Sequence, residues 1–202
     1  VDFEAEDLIA DEDMVLTISH NGYIKRLPVT TYRQQRRGGR GIAGFSGQEN
    51  DFVEHVSVAS THSYLLFFTD RGRCYWVKVH EIPTAGRTAR GKAIVNILRL
   101  RDERVTSMIP VRDLQEAAFL VFATRRGVVK RCELADFSNP RPSGIIAIHL
   151  RENDELVGVA LTRGDSEIVL AKRSGKAVRF KEGDVRAMGR AATGVRGATL
   201  EG

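Results

Sequence analysis

The sequence has 202 residues, 42% hydrophobic and 28% charged, enough to bury a sizeable core in one large domain or two small ones. Its formal net charge of +5 conceals an asymmetry: residues 1–13 hold seven acids and no lysine or arginine, which leaves a net +12 on the rest. That balance points to a polyanionic partner, and no apolar run of spanning length or basic amphipathic helix argues for a membrane instead.

Taken in order, the acidic stretch 1–13 reads as a linker, and residues 14–202 as a β domain built from four repeats near 14–50, 51–103, 104–154 and 155–202. Each repeat begins with an apolar run rich in β-branched and aromatic residues: Val15–Ser19, Tyr64–Thr69, Phe119–Thr124 and Glu167–Lys172. Each run ends at a hairpin turn that closes on Gly22, Gly72, Gly127 or Gly175, spaced by 50, 55 and 48 residues. Second hairpin strands follow at Tyr23–Val29, Arg73–Val79, Val128–Leu134 and Lys176–Lys181. A loop and a return glycine come next, at Gly41, Gly91, Gly144 and Gly197, spaced by 50, 53 and 53. Between repeats, further strands are expected at Val53–Ala59, Arg104–Pro110 and Glu155–Leu161. Helical periodicity is confined to single turns near Val29–Gln34 and Asp184–Met188. Four strands per period of about 50 residues is the pattern of propeller-like blades.

The same period places the positive charge. Lys25, Arg26, Lys78, Lys130, Arg131, Arg179 and Lys181 recur in the second hairpin strands; Arg87, Arg90, Lys92, Arg141, Arg186, Arg190 and Arg196 recur in the loops and returns that follow. The densest such loop is Gln35, Arg36, Arg37, Gly38, Gly39, Arg40 and Gly41, with three guanidinium groups, three glycines and no acid. Arginine is a permanently charged planar fork matched to phosphate, and glycine lets backbone amides approach a ligand closely. Side-by-side blades would align these residues into a basic track suited to a bent duplex, since phosphate contact follows charge and not sequence.

Other chemistry is absent from the pattern. The GxGxxG at Gly39–Gly44 lacks the strand and helix of a dinucleotide site. Cys74 and Cys132 form no CxxC and read as buried thiols of a reducing compartment, and the five histidines lack ligand spacing. Asp102–Glu103 and Asp154–Glu155 read as turn acids, and Tyr75 and Trp76 as core. No catalytic residue, metal site or cofactor is expected. No leader segment is visible and the chain starts at Val, so the expectation is a cytoplasmic protein that is a piece of a longer one.

These residues carry a family resemblance. The box at 35–41 resembles the one that defines the C-terminal domain of the DNA gyrase A subunit, and Thr69–Arg73, Arg179–Lys181, Arg186–Gly189 and the lead-in Glu6–Ile9 resemble that domain too. The resemblance implies an all-β, propeller-like β-pinwheel of four-stranded blades, about four of the family's usual six being present. It implies a basic rim that wraps double-stranded DNA, with the box as the determinant of a positive wrap. It also implies partners in the rest of gyrase A and in gyrase B, a nucleoid-associated location, and an active-site tyrosine and ATPase that lie outside this chain. A topoisomerase IV-type domain is the related alternative. A protein-interaction propeller, its basic face covered by the acidic segment, and an RNA-binding RGG segment stand beside it.

Overall fold

A computed structural model describes residues 5–32 and 50–199, so the box at 35–41 lies outside the described residues. The repeated hairpins form where the turn glycines place them: β1 (Asp13–Ser19) with β2 (Tyr23–Pro28), β4 (Tyr64–Thr69) with β5 (Arg73–Lys78), β8 (Phe119–Thr124) with β9 (Val128–Glu133), and β12 (Glu167–Ala171) with β13 (Ala177–Lys181). The strands expected between repeats are β3 (Val53–Ser60), β7 (Val105–Val111) and β11 (Leu156–Thr162). Each lies beside the first strand of the preceding hairpin. Helical structure among the described residues amounts to short 3-10 turns; besides those near the two expected positions, four more lie at Ala5–Leu8, Val79–Glu81, Ile94–Asn96 and Leu134–Phe137.

The fourth strand of each four-stranded sheet also comes from the following repeat. The return segments form β6 (Lys92–Ala93), β10 (Ile145–Ile146) and β14 (Val195–Arg196). The sheet orders are β3-β1-β2-β6, β10-β5-β4-β7 and β11-β8-β9-β14, with β12-β13 as a two-stranded fourth sheet. Thus Ile24 lies opposite Lys92, Cys74 opposite Ile145, and Val129 opposite Val195. One repeat in sequence is therefore not one sheet in space.

Internal contacts divide the chain into two units. One comprises Val1–Leu66, Val77–Leu100 and Pro110–Arg112; the other comprises Phe67–Trp76, Arg101–Ile109 and Asp113–Gly202. The first encloses Met14, Leu16, Ile18, Ile24, Leu27, Val79, Ile82 and Ile94. It also carries the acidic lead-in: Glu6 pairs with Lys78 at 3.0 Å, Asp11 with Arg112, and the Ile9 carbonyl lies 2.7 Å from His62 Nε2. Lys78 holds the Glu6 carboxyl below its ordinary pKa.

The second unit is centred on Phe68, Phe122 and Phe137, with ring centroids 5.4 to 6.2 Å apart and Phe68 edge-on to both others. The turn acids organise the hairpins: the Thr69 hydroxyl donates to Glu103 Oε2 and the Thr124 hydroxyl to Asp154 Oδ2, both at 2.7 Å. Tyr75 is buried and also donates its hydroxyl to Glu103, while Trp76 donates Nε1–H to the Phe137 carbonyl at 3.0 Å. Cys74 and Cys132 are free, buried thiols, and burial pushes both up in pKa.

Glu182 is 1% exposed; its carboxylate accepts hydrogen bonds from the Thr162 hydroxyl and, at 2.9 Å, the Ser166 amide. Burial alone would raise its pKa. Hydrogen bonds from Thr162, Ser166 and Gly164, with the charge of Arg131, outweigh burial and hold it below its ordinary value. A carboxylate depressed in the folded state stabilises above its unfolded pKa and loses that contribution as pH falls through the folded one. Glu182→Gln should therefore cost about 1.5–3 kcal/mol at neutral pH. In thermal melts the gap to the parent should close as pH drops below the ordinary glutamate value of 4.5.

Candidate nucleic-acid interface

Three loops lead into the short return strands, at 86–91, 139–144 and 189–194, and none contains an acid. Each is gripped by the hairpin of the preceding repeat. Lys25 on β2 places Nζ 2.5 Å from the Arg87 carbonyl, 2.8 Å from that of Ala89 and 3.4 Å from that of Gly86. Its neighbour Arg26 donates to the carbonyls of Ile82 at 2.5 Å and His80 at 3.1 Å. On β5, Arg73 donates to the Ser143 carbonyl at 2.6 Å, and the Tyr75 ring fills the space beside Gly144. On β9, Lys130 donates to the Ala147 carbonyl at 2.7 Å and to the Arg190 carbonyl.

The loops close on glycines with left-handed backbone: Gly91 (φ +93°), Gly144 (φ +71°) and Gly194 (φ +102°). A Cβ on Gly91 would lie closer than 3.0 Å to the Ile24 carbonyl, and one on Gly194 2.5 Å from the Val129 carbonyl. The fourth return glycine is therefore Gly194, not the Gly197 expected from the sequence. Gly194 immediately precedes β14 and sits at the register of Gly91, whereas Gly197 follows that strand and packs on the Val129 side chain.

The expected phosphate-contacting residues fall into three groups. Arg87, Arg90, Lys92, Arg141, Arg179, Lys181 and Arg196 are exposed. Arg90 lies with its guanidinium carbon 3.8 Å above the Tyr23 ring, and Arg179 faces Glu167 at 3.5 Å. Arg26, Arg131 and Arg190 are half-buried, Arg131 with its guanidinium carbon 4.5 Å above the Phe119 ring. Lys25 and Lys130 are 1% and 0% exposed, and the fold uses their ammonium groups internally.

Arg141 and Arg190, from two consecutive loops, meet Arg73 around one open cavity of about 370 Å³ walled by Gly144, Ile145, Ile146 and Ala191. Three guanidinium groups and apolar walls can take a phosphodiester, with bidentate donors for its oxygens and packing for the sugar. Sequence reasoning leaves Arg73 out of this set because its place after the turn glycine is Tyr23, Val128 or Lys176 in the other repeats, so no period marks it.

An all-β array of repeated hairpins, each completed by strands from the next repeat, is a propeller-class architecture. The sequence matches the family described as DNA gyrase C-terminal domain, beta-propeller, over residues 13–60, 63–112, 118–163 and 167–202, and the chain belongs to that family. It is 52% identical over 200 residues to the DNA gyrase A protein of Haemophilus influenzae, covering 98% of this chain and 23% of that protein's length. Among solved structures it resembles a DNA topoisomerase IV C-terminal domain (TM-score 0.78, 31% identity, 96% of this chain and 59% of that one). It also resembles a DNA gyrase A C-terminal domain (TM-score 0.75, 27% identity, 94% and 61%). The all-β, propeller-like class expected from the repeats, and the β-pinwheel that the resemblance implies, are thus shown.

Proposed function

We propose that this chain binds and wraps double-stranded DNA as the C-terminal domain of gyrase A, with no catalysis of its own. The observation that carries the reading is the acid-free arginine loop repeated at the head of each return strand, which joins Arg141, Arg190 and Arg73 at one cavity. Smoothly bending a 20–30 bp duplex by 40–90° costs on the order of 1–6 kcal/mol, and an arc of phosphate contacts offsets it at the expense of salt sensitivity. In the complete enzyme the wrap would present a DNA segment to the gate for ATP-dependent negative supercoiling, with the remainder of gyrase A and gyrase B as partners and the nucleoid as location. The box at 35–41 would set the direction of the wrap.

The test is topological. Relaxed closed-circular plasmid is mixed with the protein, unconstrained supercoils are removed by a type I topoisomerase, and the DNA is stripped and resolved on a gel. A positive linking difference is expected, and it should vanish in Arg36→Ala/Arg37→Ala/Arg40→Ala while bulk affinity falls much less. Tight binding without any linking change would overturn wrapping.

A further inference from the structure

We propose that Lys25 and Lys130 are positioning residues of the duplex-binding surface: each holds, from inside the fold, the arginine loop donated by the following repeat, and neither touches the ligand. This rests on the reading of those loops as phosphate contacts. The sequence places both lysines among exposed-looking basic residues, yet the structure buries them completely and spends their donors on backbone carbonyls. Burial lowers the pKa of both, and the carbonyls around each ammonium stand in for the water it has lost.

The direction of the clamp has a consequence at the surface. In a planar trans peptide the C=O and N–H point opposite ways. The carbonyls of Gly86 and Ala89 face Lys25 Nζ, so the amides they share with Arg87 and Arg90 face away from it. Clamping from inside therefore turns backbone donors outward alongside the two exposed arginines, an arrangement suited to an anion. The same position in the second hairpin, three residues after the turn glycine, is Tyr75, whose ring packs at Gly144. Three hairpins thus brace three loops from one place.

The experiment compares Lys25→Met, Arg87→Ala/Arg90→Ala and the triple variant for duplex binding across a salt series. Positioning predicts that Lys25→Met lowers the slope of log affinity against log salt by about 1.8, as the double arginine variant does, and that the triple variant adds nothing. A loss of about 0.9 for Lys25→Met that sums with the arginine loss would make Lys25 a direct contact and overturn the proposal, as would unchanged binding.

Two readouts hold if the variant folds poorly or the duplex reading fails. In the parent protein, Lys25 and Lys130 should resist acylation with and without DNA; modification that DNA prevents would overturn the proposal. Without any ligand, Lys25→Met should speed tryptic cleavage after Arg87 and Arg90 by about tenfold or more, since the loop loses charge-assisted hydrogen bonds. Unchanged cleavage in a folded variant would show that no clamp exists.

Discussion

Replacing Arg141 and Arg190 together by alanine is expected to weaken duplex-DNA binding by roughly 60-fold near 0.1 M salt and to flatten its salt slope by about 1.8, as two lost phosphate contacts require. Both residues line the cavity that they share with Arg73, on loops with no acid to neutralise them. The loss should be equal for unrelated duplex sequences, because phosphate contacts carry no base information. Fluorescence anisotropy at several salt concentrations measures both quantities. Arg112→Ala is the matched control: that side chain is paired with Asp11 outside the loops. A comparable loss there would mean that net charge alone governs binding and that the loops have no special part. Arg73→Ala removes one more charge but also the 2.6 Å bond to the Ser143 carbonyl, so its effect should exceed one contact.

The repeats make the hairpins legible, because an apolar run, a turn glycine and a second strand state a local structure in consecutive residues. Tyr64–Thr69 can be read to the residue for this reason. The exchange of the last strand is not legible. β6 is only Lys92–Ala93, and no local signal says whether two residues pair with their own hairpin or with the preceding one. Spacing does not choose between Gly194 and Gly197, which follow Gly144 by 50 and 53 residues; what distinguishes them is the approach of the Val129 carbonyl, a contact between residues 65 apart in the chain. The lysines show the same limit. A lysine ordinarily reads as exposed, and Lys25 and Lys130 are inside because partners 61 or more and 17 or more residues away supply their carbonyls. Charge is readable from composition; which charges face outward depends on pairing across repeats.

That dependence on distant backbone makes the return glycines the most sensitive positions outside the aromatic core. Gly91→Ala is expected to destabilise the protein by about 2–5 kcal/mol. Roughly 1–2 kcal/mol comes from forcing a Cβ into left-handed backbone, and about 1–3 kcal/mol from moving the strand that blocks it. The obstruction is the Ile24 carbonyl, closer than 3.0 Å to the new Cβ, and it cannot swing aside as a side-chain tip could. Gly175→Ala separates the two costs: its φ of +80° is similar, but nothing lies within 4 Å of the added carbon. It should therefore lose only the conformational part, and thermal melts of the two variants should differ by several degrees. Equal losses would mean that the loop yields freely around Gly91. Because Ile24 adjoins Lys25, the strand shift would also draw Nζ from the carbonyls of Arg87 and Ala89. Gly91→Ala should thus lose duplex affinity beyond its loss of stability, whereas Gly175→Ala should not.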